Sequence, residues 1–144
     1  MPPAERSVGP VAVLDAEALS VLASPKERGA AGRRAQAVLE AVERRAGHAV
    51  VPAPVLAETS RTRARRAAVD RVLRAVRVVP TDRLIAETAG VLLEAAGMGS
   101  ANAMDAFVVA TAAQTPAAVV LTAAADDLGL LAASLRHVEV WRLV

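Results

Sequence analysis

The chain has 144 residues, enough for one domain with a proper core and too few for two ordinary ones. It contains no cysteine, which excludes disulfides and thiolate metal sites, so any bound metal must be held by oxygen or by the two histidines. The formal charge is only +2, and every one of the 17 basic residues except Lys26 is arginine, the side chain suited to bidentate phosphate contacts.

Residues 1–10, "MPPAERSVGP", read as a tail, and residues 11–144 as a single domain. "VAVL", Val11 to Leu14, is a short unbroken apolar run, the pattern of a strand buried on both faces. It runs straight into Asp15, so that the acid either turns the chain or is presented at the edge of a sheet. "AEALSVLA" then has helical spacing, and Leu19 and Leu22 read as ordinary core in preference to a surface for a dimer or a protein partner. "SPKERGAAG" reads as a polar loop. "RRAQAVLEAVERRAG" predicts a helix with Val38, Leu39 and Val42 on one face and Gly47 placed to end it.

"HAVVPAP" predicts a second strand, and Pro54 suits the first turn of the helical segment "VLAETSRTRARRAAVDRVLRAV", which can form one helix or two. "RVVPTD" predicts a third strand, with Thr81 or Asp82 capping the helix "RLIAETAGVLLEAAG". The loop "MGSANAM" leads into a helix starting at Asp105, followed by the strand "AAVVLT", the short helix "DDLGLLAASL" and a last strand "HVEVWRLV". Ala106 to Ala125 is uncharged and long enough to span a bilayer. Gln114, Thr115 and Pro116 divide it into helix, turn and strand, so no membrane association is expected. The opening residues lack the apolar core of a signal peptide, which leads to the expectation of a cytoplasmic protein.

Strands alternate with helices throughout, which implies an α/β fold with a parallel sheet covered on both faces. In such sheets the functional crevice lies at the carboxyl ends of the strands, where the strand order reverses. Asp15, Glu58, Asp105, Asp126 and Asp127 all fall near that rim. Carboxylates crowded on one rim repel each other, and a divalent cation between them relieves the repulsion. Magnesium or manganese suits oxygen-only ligands and equips a site for phosphodiester hydrolysis.

Each acid also has a purely structural explanation. Asp105 can be an N-cap, Glu58 can pair with Arg61 one turn along, and Asp126 and Asp127 are favourable first-turn charges. Asp15 is the hardest to explain that way, because it ends a buried run with no Gly or Pro beside it. Arg61 to Arg77 holds seven arginines against one acid, Asp70; Val69, Leu73 and Val76 form its buried stripe. The arginines are either a solvated face or an electrostatic footprint for nucleic-acid phosphate. His48 and His137 fall at strand starts, away from the rim, and read as structural.

Taken in order, "VAVLDAEAL", "VVPAPVLAETSR", "RVVPTD", "IAETAGVLLEAAG", "MDAFVVATAA" and "VVLTAAADDLGLLA" resemble the PIN-domain ribonuclease family, and within it the VapC-like toxins of toxin-antitoxin pairs. The resemblance implies a three-layer α/β/α sandwich with a small parallel sheet of about five strands and an acidic pocket for magnesium or manganese. It implies Asp15 and Asp105 as direct metal ligands, with Glu58 helping to hold the ion or its water. The implied activity is cleavage of single-stranded RNA by metal-activated water, with a cognate antitoxin and a homodimer as partners. Two positions depart from the family pattern. Ala124 stands where a fourth acid is common, with Asp126 as the first candidate to replace it and Asp127 as the second, and Glu17 replaces a small polar residue. A catalytically weak PIN-fold module that binds RNA or a partner protein without turnover is the alternative that Ala124 suggests. A phosphotransferase with Asp15 as nucleophile fits less well, since Glu17, Ala18 and Leu19 depart from the Asp-x-Asp pattern and the one lysine is Lys26.

Overall fold

The computed structural model describes residues 9–143; most of the tail, residues 1–8, and Val144 lie outside the described residues. Five strands form one sheet: β1 (Val11–Leu14), β2 (His48–Pro52), β3 (Val76–Val79), β4 (Ala118–Thr122) and β5 (Val138–Arg142). Their order is β3-β2-β1-β4-β5, and every neighbouring pair is parallel. β1 lies in the centre and all four of its residues are buried, as its unbroken apolar run requires.

Seven helices connect the strands: α1 (Ala16–Ala23), α2 (Gly29–Arg44), α3 (Val55–Thr59), α4 (Arg63–Val72), α5 (Arg83–Ala96), α6 (Ala103–Ala113) and α7 (Ala125–Ala132). The chain moves outward from β1 to β3, then crosses back to β4 and β5. Right-handed crossovers therefore place the first four helices on one face and the last three on the other. The packing agrees, with α1 against α2 and α4, and α6 against α5 and α7. The result is the expected α/β/α sandwich, and its strand order reverses between β1 and β4. Leu19 and Leu22 are core residues, as their spacing predicted. Among the described residues no helix is long and apolar enough to cross a membrane, and the uncharged run from Ala106 is divided between α6 and β4.

Several boundaries differ from expectation for local physical reasons. The segment "SPKERGAAG" is a 3-10 turn, Pro25–Arg28, followed directly by α2. Gly32 belongs to that helix because its bare backbone packs on the turn: a Cβ there would meet the Pro25 carbonyl oxygen at 2.1 Å. At the other end of α2 the left-handed residue is Ala46, at φ 60°, and not Gly47. Gly47 serves a different need, since a Cβ on it would lie 1.9 Å from the carbonyl oxygen of Pro10. The arginine-rich segment breaks into two helices at Ser60–Thr62, where the Thr62 hydroxyl accepts the Arg65 amide at 3.1 Å and caps α4. Of the two candidate caps for α5, Asp82 is the one used, accepting from the Ile85 amide at 2.9 Å.

Candidate metal centre

The connection from β1 to α1 sets the first acid. Asp15 has extended backbone and caps α1 with one carboxylate oxygen, which accepts the Ala18 amide at 2.8 Å. Its own amide donates to Leu121 of β4 at 3.3 Å, so the residue is pinned between the two central strands where the sheet order reverses. The choice between turning and presenting has the answer that Asp15 does both. It starts the helix and is buried at the head of a cleft, with only 7% of its surface exposed.

That cleft, about 480 Å³ in volume, is lined by six carboxylates: Asp15, Glu17, Glu58, Asp105, Asp126 and Asp127. Among the described residues no Lys, Arg or His contributes to its wall. All of the acids placed near the rim from sequence therefore meet in one depression, drawn from α1, α3, α6 and α7. Ala124 also lines it and offers only a methyl group there. Both histidines lie at the opposite end of the sheet; His48 opens β2, and His137 precedes β5 with Nε2 3.0 Å from the Ala113 carbonyl oxygen.

Asp105 is not an N-cap. The loop before it contains a 3-10 turn, Ser100–Asn102, and α6 begins at Ala103, so Asp105 is the third residue of the helix. Its carboxylate is thus not spent on capping and is half-buried in the cleft. Glu58 forms no ion pair with Arg61; among the described residues the ion pairs are Arg83 with Glu87 and Arg142 with Asp126. Asp126 consequently faces outward, with Oδ1 3.0 Å from Arg142 Nη2 and its side chain 93% exposed. Asp127 turns the other way, its Oδ2 accepting from Asn102 Nδ2 at 3.2 Å.

Electrostatics reflect the crowding. Burial pushes the Asp15 carboxyl up to about 6; hydrogen bonds from Thr122 and the Ala18 amide oppose this, while Glu17 and Asp105 push it further up. The Thr122 hydroxyl also lies 3.2 Å from the Ala124 carbonyl oxygen and accepts the Ala124 amide at 2.9 Å. Asp105 is raised by burial, then by Asp127 and Glu58, and is held down in part by a hydrogen bond from Asn102. Asn102 therefore donates to Asp127 and also favours the charged form of Asp105. Sequence reasoning missed it. Its signal was an amide side chain one turn ahead of the acid, in a stretch read as plain loop.

The donors fit a hard divalent cation in kind: oxygen only, all anionic, with like charge raising the pKa of the two most buried acids. Among the described residues no three acidic or histidine side chains already stand close enough to hold one ion. Exposed Glu58 and Asp127 retain the rotamer freedom to close such a shell, whereas Asp126 is held by Arg142.

The family model described as PIN domain matches residues 12–127. The chain belongs to the PIN domain family, whose nucleases generally depend on divalent metal ions. No curated protein sequence matches it. Among solved structures, it resembles a chain of the crystal structure of VapBC2 from Rickettsia felis bound to a DNA fragment from their promoter. The TM-score is 0.63 at 12% identity, over 92% of this chain and 98% of that one. At that identity the likeness is one of fold.

Proposed function

We propose that the protein is a magnesium- or manganese-dependent endoribonuclease that cleaves single-stranded RNA, acting as the toxin of a toxin-antitoxin pair. The observation that carries this reading is the meeting of six carboxylates, from four separate helices or their caps, in one cleft at the point where the sheet order reverses. A protein of the PIN family with such a cleft has the equipment for phosphodiester hydrolysis. Asp15 and Asp105 are the direct ligands in this proposal, and Glu58 holds the ion or its water.

When bound, the divalent ion supplies Lewis acidity toward the phosphoryl oxygen and a water of lowered pKa. The chain supplies the rest. Asp15 offers the carboxylate oxygen that does not cap α1, and the cap fixes the other oxygen so that the free one keeps a constant direction. Asn102 orients Asp127 and eases the charge on Asp105. Asp127 is the better substitute for the acid missing at Ala124, because Asp126 is engaged by Arg142.

The antitoxin partner is inferred from the likeness to VapBC2. A homodimer has a surface available in Leu84 and Val91, two turns apart on α5 and both exposed, and in exposed Leu130 on α7, which packs beside α5. A cytoplasmic location follows from the same reading. Ala124 favours a second reading, a PIN module that binds RNA or protein without turnover.

The test is incubation of purified protein with a single-stranded RNA in Mg²⁺, Mn²⁺ or EDTA, beside Asp15→Asn and Asp105→Asn. Metal-dependent cleavage lost in both variants supports the proposal. RNA binding without metal and without turnover supports the module instead.

A further inference from the structure

We infer that Arg61, Arg63 and Arg66 form a phosphate-binding clamp that leads single-stranded RNA into the acidic cleft. The inference deepens the ribonuclease reading and rests on it. A cleft walled by six carboxylates and, among the described residues, by no cation repels the polyanion that it must admit. Association then requires a positive surface beside the entrance, where local potential offsets that repulsion.

Such a surface begins three residues beyond Glu58, itself part of the cleft wall. Arg61 is exposed in the break between α3 and α4, and Arg63 is exposed on the first turn of α4. Arg66 is exposed as well, and it folds back toward the same break, with Nη1 3.3 Å from the Ser60 carbonyl oxygen. Three exposed arginines are therefore carried by the break and first turns at the cleft end of the helix, with the Arg66 guanidinium at the break itself. None forms an ion pair among the described residues.

Arg65 is different and marks the boundary of the clamp. It points inward, Nη2 donating to Ser20 Oγ of α1 at 2.6 Å, and joins α4 to the body of the protein. Arg63 lies well around the helix from the buried Ala68 and Val69, and Arg66, one turn before Val69, is exposed, so neither is a core residue. Unpaired like charges within six residues of one segment repel one another, and neutralisation by phosphate relieves that repulsion. Guanidinium forks suit the bidentate geometry that phosphodiester oxygens offer.

The experiment uses the whole chain with a fluorescein-labelled unstructured 12-nucleotide RNA in EDTA, where binding is read by anisotropy over a potassium chloride series. The triple variant Arg61→Ala/Arg63→Ala/Arg66→Ala is compared with wild type and with Arg45→Ala/Arg136→Ala, which removes two exposed charges from the opposite end of the sheet. Expected is a loss of affinity of at least about tenfold in the triple variant. Its log K against log salt slope should be shallower by about 2, at about 0.7 per phosphate contact on a single strand. The distal variant should match wild type, and lysines at the three positions should restore most of the binding. Circular dichroism on all variants separates lost binding from lost fold; should the alanine variant unfold, the lysine variant against single Arg63→Ala carries the comparison. Equal affinity and slope in a wild type and triple variant that both bind RNA would overturn the clamp and assign these arginines to another acidic macromolecule. A wild type that cleaves RNA with metal while the triple variant cleaves it equally well overturns the clamp and leaves the ribonuclease reading standing. A wild type that neither binds nor cleaves RNA overturns both.

Discussion

Replacing Asp15 with asparagine is expected to stabilise the metal-free fold at neutral and alkaline pH, although it removes a proposed metal ligand. The carboxyl is raised from 3.8 to about 6, chiefly by burial. Below 3.8 the group is protonated in both the folded and the unfolded chain, so it costs nothing. Between the two values the folded chain holds the extra proton, and stability falls as pH rises through that window. Above about 6 the full penalty is present, and a displacement of this size corresponds to about 3 kcal/mol at most. Asparagine remains a good N-cap for the Ala18 amide and carries no charge. The variant should therefore gain about 1–3 kcal/mol at pH 8 in EDTA, a rise in melting temperature of about 3–10 °C for a chain of this length. At pH 4 the two proteins should be nearly equal. Urea denaturation at pH 4, 5, 6, 7 and 8 in EDTA measures the gap directly. An asparagine variant less stable than wild type at pH 8, or a gap that does not widen between pH 4 and 7, would refute the reasoning.

Saturating Mg²⁺ or Mn²⁺ at pH 8 should raise the melting temperature of wild type and leave Asp15→Asn unmoved, as scanning calorimetry reads. Asn102→Ala should weaken metal affinity or cleavage by about 10–100-fold, because it frees Asp127 and removes a group that favours charged Asp105; calorimetric titration with Mn²⁺ checks the affinity. Asp127→Asn should impair cleavage more than Asp126→Asn, and equal effects would argue that Arg142 does not withhold Asp126. Ala46→Gly should stabilise the protein by about 1 kcal/mol by relieving a left-handed alanine, whereas Gly47→Ala should destabilise it by driving a methyl into Pro10, both read by urea denaturation.

The acids of the cleft were legible because their positions follow from a rule about connectivity. Once "VAVL" and "AAVVLT" read as strands of a parallel sheet, the residues just after them had to lie at its active rim, and Asp15, Asp126 and Asp127 do. The direction of each side chain was not legible. Asp126 and Asp127 are adjacent first-turn residues of α7, and only the neighbours Arg142 and Asn102, distant in sequence, set them facing apart. Asp105 read as a cap because "SAN" carries turn-forming residues that instead make a 3-10 turn leading into α6. α2 was read four residues short, since glycines at 29 and 32 lower helix propensity; tertiary packing on Pro25 overrides that preference. The break in the arginine-rich segment had a local signal, the Ser-Arg-Thr triplet with a capping threonine, and was left open for want of any tertiary contact to decide it.

Diffraction from crystals soaked in manganese, recorded near the metal's absorption edge, tests most directly whether the cap of α1 and a side chain of α6 jointly hold one ion. An anomalous peak is expected between Asp15 and Asp105, with a carboxylate oxygen of each at about 2.1–2.3 Å. A soaked crystal diffracting well, with no peak in the cleft or a peak that leaves either aspartate unbound, would contradict the account.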